Sequence, residues 1–222
     1  FVDSRGRLVT ASGGTAVAPA DGTYARLFRA ALAGAAKVDH ITFSGSGEPT
    51  LNKNLGRIIR GLKKMTTIPV AVLTNGTLLT RKDVRFDLLA ADVVAPSLDA
   101  VSSPLFKAVN RPHRSLDAGR VVRGLVRFRR EYKGQIWLEV MLVKGANDAP
   151  AHIRALKRAV AAIRPDRIQL NTVVRPPAEE TALPLSARIV AIQDGARPAV
   201  TPGLIAASVR AARKAGFFSM AM

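Results

Sequence analysis

The sequence predicts an α/β protein built on a parallel β-sheet. Three observations lead to this prediction: short apolar or β-branched segments recur along the chain, amphipathic stripes at helical spacing lie between them, and 48% of the 222 residues are hydrophobic. A chain of this length and composition buries a substantial core. Alternation of strands and helices is typical of parallel strands joined by right-handed crossovers, either in an open doubly wound sheet or in part of a barrel.

Five segments are predicted as strands, because each is apolar or β-branched and ends near Gly, Asn, Asp or Pro. They are residues 40–44, 68–73, 92–98, 136–143 and 167–173. Functional residues in such folds follow the carboxyl ends of the strands. The segments of interest are therefore residues 45–50, 74–77, 97–100, 144–148 and 171–177.

Four helices are predicted from apolar residues at helical spacing, each with a basic face opposite its apolar stripe. The stripes cover residues 24–35, 51–65, 118–125 and 153–163. Asp21 and Thr23 are candidate N-caps of the first helix, since their side-chain oxygens can accept from its first N–H groups.

The chain is strongly basic, with 34 Lys and Arg against 16 Asp and Glu and a net charge of +18. A field of this sign draws polyanions, so RNA is an expected partner. The alternative, that the charges are solvated helix faces, stays open. Aromatic residues make up only 5% of the chain, too few to predict a stacking platform for single strands.

The chain contains no cysteine, which excludes a disulfide framework and a thiolate metal site within it. The apolar stretch at residues 198–209 is too short, and too interrupted by Pro and Gly, to cross a bilayer as a helix of roughly 20 residues. We therefore expect no membrane partner and a cytoplasmic location.

The loop Ser44-Gly45-Ser46-Gly47-Glu48-Pro49 directly follows the first predicted strand. Its two glycines permit positive φ and close approach of the backbone to a ligand, so its carbonyl and amide groups can hold a small polar group. A simple tight turn is the alternative. The loop is neither a dinucleotide fingerprint, because the G-x-G-x-x-G spacing fails, nor a P-loop, because no Gly-Lys-Ser/Thr follows.

Four blocks of sequence, in this order, resemble the radical S-adenosylmethionine (SAM) family of Fe–S oxidoreductases, which includes wybutosine-type tRNA-modifying enzymes. The blocks are DHITFSGSGEPTLNKNLGRII, IPVAVLTNGTLL, DVVAPSLDAVSSPLFKAVNRPH and IQLNTVVRPPAEE. The resemblance implies a partial (β/α)6 TIM-like barrel that lacks the first strand and the cluster loop, with SAM lying across the strand ends. It divides the chain into a radical SAM-like barrel at residues 24–193 and non-matching segments at residues 1–23 and 194–222.

By this resemblance, the loop Gly45, Ser46, Gly47, Glu48 and Pro49 matches the family's Gly-Glu-Pro loop, whose backbone holds the methionyl amino group of SAM. The assignment is chemically sensible, because an ammonium group needs carbonyl oxygens and glycines present them without obstruction.

The resemblance also implies further SAM contacts at later strand ends. Ser97 and Asp99 match positions suited to ribose hydroxyls, with capping of a helix or a turn as the alternative for Asp99. Thr74 and Asn75 would either line the cavity or form a turn, since Asn-Gly is itself a turn dipeptide. Asn171 resembles family residues at the mouth of the barrel.

Glu139 is a candidate contact for SAM or substrate. Alternation places it with Trp137 and Met141 on one face of its strand, and a lone carboxylate inside a barrel is costly unless it is paired or contacts a ligand. An exposed edge position is the alternative. Asn110, Arg111 and His113 are expected to shape the preceding loop.

The family binds a [4Fe–4S] cluster through a Cys-x3-Cys-x2-Cys motif, and such clusters require thiolate ligands. None is present, so the resemblance implies a radical SAM protein that is incomplete or inactive in this cysteine-free form: a fragment, a misframed sequence or a decayed copy. This chain alone is predicted not to bind the cluster, and activity would need an external electron donor. Two alternatives stay open: a cofactor-free RNA-binding module derived from such an enzyme, and an unrelated barrel enzyme with a phosphate-bearing substrate.

Overall fold

The computed structural model of the chain describes residues 8–9, 15–16, 38–44, 47–173, 179, 181–185 and 192–194. The strands are β1 (Leu8–Val9), β2 (Thr15–Ala16), β3 (Ile41–Phe43), β4 (Val70–Thr74), β5 (Val93–Pro96), β6 (Gln135–Leu142), β7 (Arg167–Thr172) and β8 (Ile192–Asp194). The helices are α1 (Leu55–Met65), α2 (Lys82–Leu88), α3 (Ser103–Asn110), α4 (Ala118–Glu131) and α5 (Pro150–Ile163). The chain forms two compact units, one of residues 1–97 and 120–136 and the other of residues 98–119 and 137–222.

In the first unit, β3, β4 and β5 pair in parallel, and β5 also pairs in parallel with the first two residues of β6. β1 and β2 form an antiparallel pair. The four described residues of β5 are all buried, as expected for a parallel strand covered on both faces. The helices of this unit contribute to its core Ile59 of α1, Leu88 of α2, and Leu125 and Phe128 of α4, all inaccessible to solvent.

In the second unit, β6 pairs in parallel with β7, and β7 pairs antiparallel with β8. β6 alternates clearly: Leu138 and Val140 are buried, whereas Trp137, Glu139 and Met141 are at least partly exposed. Helix α5 contributes Leu156 and Ile163 to the core of this unit. The alternation predicted for Glu139 and its two neighbours is therefore present.

The prediction of an α/β fold with parallel strands is confirmed, and each of the five predicted strands is present within about two residues of its predicted ends. Two helices, α2 and α3, were not predicted, because seven and eight residues are too few to show a repeated apolar stripe. The helix predicted from residue 51 begins at Leu55, because Pro49–Leu51 form a separate 3₁₀ turn. The predicted helix at residues 24–35 and its caps Asp21 and Thr23 lie outside the described residues. None of the described helices is long and apolar enough to span a membrane.

Candidate functional site

The carboxylate of Glu48 joins the loop after β3 to the end of β4. Its Oε1 accepts hydrogen bonds from the backbone N–H of Thr50 at 3.1 Å, the hydroxyl of Thr50 at 2.6 Å and the hydroxyl of Thr74 at 2.6 Å. Its Oε2 accepts from the backbone N–H of Asn75 at 2.7 Å. Hydrogen bonds to an ionised acceptor are the strong ones, so four donors on one carboxylate fix the exit of this loop against β4.

A tight turn directly follows β4. The buried Thr74 hydroxyl accepts from the N–H of Gly76 at 3.1 Å, and Asn75 Oδ1 accepts from the N–H and the hydroxyl of Thr77 at 3.0 and 2.7 Å. Gly76 has φ +70°, which glycine adopts without steric cost. Both Thr74 and Asn75 therefore have structural roles in this turn. Their contact with a cofactor stays a prediction.

The glycine loop itself is described only in part. Gly45 and Ser46 lie outside the described residues, Gly47 is exposed, and Pro49 is buried. Glu48 lies between Gly47 and Pro49, and its side chain also caps the 3₁₀ turn by accepting from the backbone N–H of Thr50. The exposed residue Gly47 thus directly precedes an anchored carboxylate and a buried proline.

Asp99 follows β5, in the second unit, and its carboxylate has two protein donors. Oδ1 accepts from the backbone N–H of Met141 at 2.8 Å, and Oδ2 accepts from the side-chain amide of Asn110 at 2.8 Å. Burial raises the pKa of Asp99 above its ordinary value, against the lowering effect of these two hydrogen bonds. Because both donors are distant in sequence, the carboxylate does not act as a local turn cap. A carboxylate has about four acceptor positions, so it retains capacity for a ligand hydroxyl.

Two buried polar residues, which were not predicted as site residues from the sequence, contact the backbone carbonyl of Asp99. Asn147 Nδ2 donates to the backbone carbonyl of Asp99 at 2.8 Å, and His152 Nε2 lies 3.1 Å from the same oxygen. Asn147 is 0% exposed and His152 is 5% exposed. Asn147 lies in the segment after β6, which the sequence predicts as a strand-end loop. The sequence gives no such signal for His152, because this residue lies within an amphipathic helix.

The remaining predicted site residues are located by backbone hydrogen bonds and by strand pairing. In the first unit, the N–H of Ser97 donates to the carbonyl of Thr74 at 3.0 Å, which brings Ser97 beside the turn anchored by Glu48. In the second unit, the carbonyl of Glu139 accepts from the N–H of Leu98 at 2.8 Å, and Asn171 is paired in register with Met141. The side chains of Glu139 and Asn171 are partly exposed.

The loop that contains His113 is held by local contacts. His113 Nδ1 lies 2.8 Å from the hydroxyl of Ser115, and Arg111 has φ +45° and forms an ion pair of 2.6 Å with Glu179. His113 is exposed, and within the part of the chain that the structure describes it belongs to no group of metal-ligating side chains. Its predicted loop-shaping role agrees with these contacts.

The residues present do not fit a [4Fe–4S] cluster. The sequence has no cysteine, and the described residues contain no group of three or more His, Cys, Asp or Glu side chains able to hold a metal ion. In the first unit, a backbone carbonyl such as that of Gly47 can accept from an amino group. In the second unit, the Asp99 carboxylate has one protein donor on each oxygen and can accept from a hydroxyl.

A shallow surface groove of about 450 Å³ is lined by residues 63–67. It lies at the carboxyl end of α1, ahead of β4, and so at the amino end of that strand. Lys63 in this groove is bound to Asp92 at 2.6 Å. The groove is therefore separate from the strand-end loops discussed above.

Comparison with known proteins gives a family match and related sequences. Residues 16–158 match the family described as the Radical SAM superfamily. A GTPase Obg of Brachyspira hyodysenteriae is 46% identical over 149 residues, which are 67% of this chain and 22% of that protein. A UPF0026 protein of Methanocaldococcus jannaschii is 33% identical over 154 residues, which are 69% of this chain and 48% of that protein. The chain thus spans about a fifth of the first relative and about half of the second.

Among solved structures, a domain of a pyruvate-formate lyase-activating enzyme from Bacteroides vulgatus has a similar fold. The TM-score is 0.51 at 17% sequence identity, and the match covers 80% of this chain and 94% of that one. At this identity the likeness concerns the fold alone. The family match covers more than half of the chain and includes the Glu48 loop, β4 and Asp99, so the chain belongs to the Radical SAM superfamily.

Proposed function

We propose that this chain binds SAM through the backbone of residues 45–49, with Ser97 and Asp99 contacting its ribose hydroxyls. Thr74, Asn75, Glu139 and Asn171 are proposed to surround the same cofactor. The protein would be a radical SAM oxidoreductase that is incomplete or inactive in this cysteine-free form, and the chain as given would hold SAM without the cluster. A cytoplasmic location and an external electron donor belong to this proposal.

The hydrogen bonding of Glu48 is the observation that carries the proposal. The Glu48 carboxylate accepts from Thr50, Thr74 and Asn75, so it holds the loop against the end of β4. Carbonyl oxygens of the loop would then receive the amino group, which agrees with glycine on the amino-terminal side of Glu48. Preorganised backbone acceptors lower the ordering cost of binding.

SAM supplies radical chemistry in this family only beside a reduced [4Fe–4S] cluster, and this chain has no thiolate to bind one. The chain's own residues would bind and orient SAM. We therefore expect this polypeptide by itself to bind SAM but not to cleave it. Thiolate ligands for a cluster would have to come from another polypeptide or from sequence beyond these residues.

Calorimetric titration with SAM tests the proposal. Glu48→Gln replaces Oε2 with an NH₂ group that faces the N–H of Asn75, so two donors oppose each other, and we expect affinity for SAM to fall about tenfold. Thr74→Val removes one hydroxyl bond to the same carboxylate and should give a smaller loss in the same direction.

Glu179→Gln is the matched control, because it makes the same chemical change at an exposed carboxylate paired with Arg111. We expect this variant to bind SAM like the wild type. Equal affinity of the Glu48 variant and the wild type, with both folded by circular dichroism, would contradict the role of the loop. So would an equal loss in the Glu179 variant.

Binding of a nucleic acid is a second candidate function, and an arginine stripe on α4 favours it. Arg120, Arg123, Arg127 and Arg130 are all exposed and recur at intervals of three and four residues, which places them along one face of the helix. At about 1.5 Å per residue the stripe is about 15 Å long. Guanidinium groups bind phosphate oxygens in a bidentate manner, so the stripe is chemically suited to a phosphodiester backbone.

Two features favour a nucleic acid over an acidic membrane as the occupant of the stripe. The apolar side of α4, with Val121, Leu125 and Phe128, is buried in the first unit and offers nothing for insertion into lipid. The only described acidic residue of α4, Glu131, is paired with Arg85. Because exposed aromatic rings are absent from the described face of α4, we expect contacts with phosphates of double-stranded RNA, without base stacking.

Fluorescence anisotropy with a labelled RNA duplex tests this candidate. Arg123→Gln/Arg127→Gln/Arg130→Gln should weaken binding about tenfold at roughly 0.1 M salt and reduce the slope of log affinity against log salt by about two to three. The control is Arg154→Gln/Lys157→Gln/Arg158→Gln, which removes three exposed charges from α5. Equal losses in both variants would show that only net charge matters and would exclude the stripe as a site.

A further inference from the structure

The described core contains five buried polar or charged residues, and three of them are explained by contacts already given. Thr50 and Thr74 hydrogen-bond Glu48, and Arg85 is paired with Glu131. The other two, Asn147 and His152, converge on a single atom, the backbone carbonyl oxygen of Asp99. Buried polar side chains are costly unless satisfied, so two of them on one carbonyl need a physical reason.

Asn147 uses its whole side-chain amide to connect backbone segments of the second unit. Nδ2 donates to the carbonyls of Asp99 and Met141, both at 2.8 Å, and Oδ1 accepts from the N–H of Val143 at 2.7 Å. The segment after β5 is thereby tied to the last residues of β6. All of these acceptors and donors are main-chain groups, so the connection does not depend on neighbouring side-chain rotamers.

His152 adds a second hydrogen bond to the same carbonyl. A carbonyl oxygen can only accept, so the imidazole Nε2 at 3.1 Å is the donor and carries the hydrogen. The ring is held by α5, where His152 lies in the buried stripe with Leu156 and Ile163. The Asp99 peptide is therefore fixed from two directions, by the loop after β6 and by the first turn of α5.

The same segments also fix the Asp99 side chain. The carbonyl of Met141 accepts from Asn147, while the N–H of Met141 donates to Asp99 Oδ1 at 2.8 Å. Asn110 donates to Oδ2 at 2.8 Å. Main chain and carboxylate of one residue are thus held by connected hydrogen bonds, which is the support that a precisely oriented ligand-binding group requires.

We infer that Asn147 and His152 are positioning residues that hold the Asp99 carboxylate in the orientation needed to bind a vicinal diol, the ribose 2′- and 3′-hydroxyls of SAM. This inference rests on the proposed function. It extends the site to the loop after β6 and to α5, neither of which touches the ligand in the proposal. Loss of either side chain lets the Asp99 peptide rotate and misdirects the carboxylate.

The test compares ligands with and without the diol. We expect His152→Leu to weaken binding of SAM about tenfold and binding of its 2′,3′-dideoxy analogue by no more than about twofold, because only the diol depends on the oriented carboxylate. His152→Gln keeps an N–H donor and should restore most of the affinity for SAM. Asn147→Ser should act like His152→Leu if it folds.

Leu156→Ala is the matched control for loss of stability. It removes a buried side chain from the same helix without touching Asp99, and we expect it to lower the unfolding midpoint without a diol-selective loss of affinity. A diol-selective loss in this control, an equal loss for both ligands in His152→Leu, or no loss at all would overturn the inference.

A ligand-free readout separates this inference from the proposed function. Hydrogen exchange at the Met141 amide, which donates to Asp99, should accelerate in His152→Leu and stay near the wild-type rate in His152→Gln. If the wild type fails to bind SAM, the proposed function fails together with the diol assignment. If it binds SAM but neither the diol selectivity nor the exchange rate responds to His152, only the positioning role is wrong.

Discussion

At the scale of single residues, two carboxylates at strand ends organise the backbone around them. Glu48 binds donors at residues 50, 74 and 75, and Asp99 binds donors at residues 110 and 141. Family resemblance pointed to both carboxylates from the sequence. Their donors could not be predicted, because half are backbone N–H groups, which every residue except proline carries, and the fold alone decides which donors come near.

The buried Arg85 offers a residue-scale prediction. It donates to Glu131 at 2.9 Å and to the carbonyls of Leu79 and Thr80, both at 3.0 Å, and its side chain is 7% exposed. Arg85→Met leaves these acceptors without the donor. We expect the free energy of unfolding, measured by urea denaturation, to fall by about 2 kcal/mol.

The pH dependence of this effect follows from Glu131. The hydrogen bond from Arg85 lowers the pKa of Glu131, against a smaller opposing effect of burial. A depressed pKa in the folded state contributes stability above the ordinary pKa of glutamate, and this contribution is lost as the pH falls through the folded pKa. The difference between wild type and Arg85→Met should therefore shrink on acidification.

Arg81→Met is the control, since Arg81 and Asp83 form an exposed ion pair with side chains 59% and 64% exposed. Exposed pairs contribute little to stability, so we expect no measurable change. An Arg85 variant as stable as the Arg81 variant at neutral pH would contradict the account of the buried pair.

At the scale of elements, the strands were more predictable than the helices. β3, β4 and β5 are continuous apolar or β-branched runs, β6 is mainly apolar, and β7 alternates apolar with polar residues; these patterns can be recognised in the sequence. Helices α2 and α3 could not be predicted, since each has about two turns and depends on tertiary packing for its stability. The hydrogen bonds of Asn147 and His152 could not be predicted either, because an asparagine in a loop and a histidine in a helix can have many other structural roles.

The packing of α1 against α2 gives an element-scale prediction. A Cβ added at Gly56 of α1 would lie 2.8 Å from the Cα of Asp87 and closer still to its side chain, so the helices would have to move apart. Gly56→Ala should therefore destabilise the protein by about 1–3 kcal/mol in urea denaturation.

Gly61 lies in the same helix and provides the internal comparison. A Cβ there would meet nothing within 4 Å, so Gly61→Ala should stabilise the protein by about 0.5–1 kcal/mol through helix propensity. If the two substitutions shift the free energy of unfolding in the same direction, the close approach of α1 and α2 does not determine the effect of Gly56→Ala.

At the scale of the whole molecule, membership of the family does not bring with it the residues that the family's cluster chemistry requires. The chain belongs to the Radical SAM superfamily, yet it has no cysteine to ligate a cluster. It also spans only about half of its UPF0026 relative from Methanocaldococcus jannaschii. The fold class was predictable from strand and helix periodicity, whereas the family needed the sequence blocks, because many unrelated functions share this architecture.

Calorimetric titration of the purified, iron-free chain with SAM is the most direct test of this account. We predict saturable binding of one SAM per chain with no iron or sulfide supplied, because the groups assigned to SAM are the protein's own backbone and carboxylate. Absence of binding, or binding that arises only after iron and sulfide are added, would contradict the claim that these loops alone hold the cofactor.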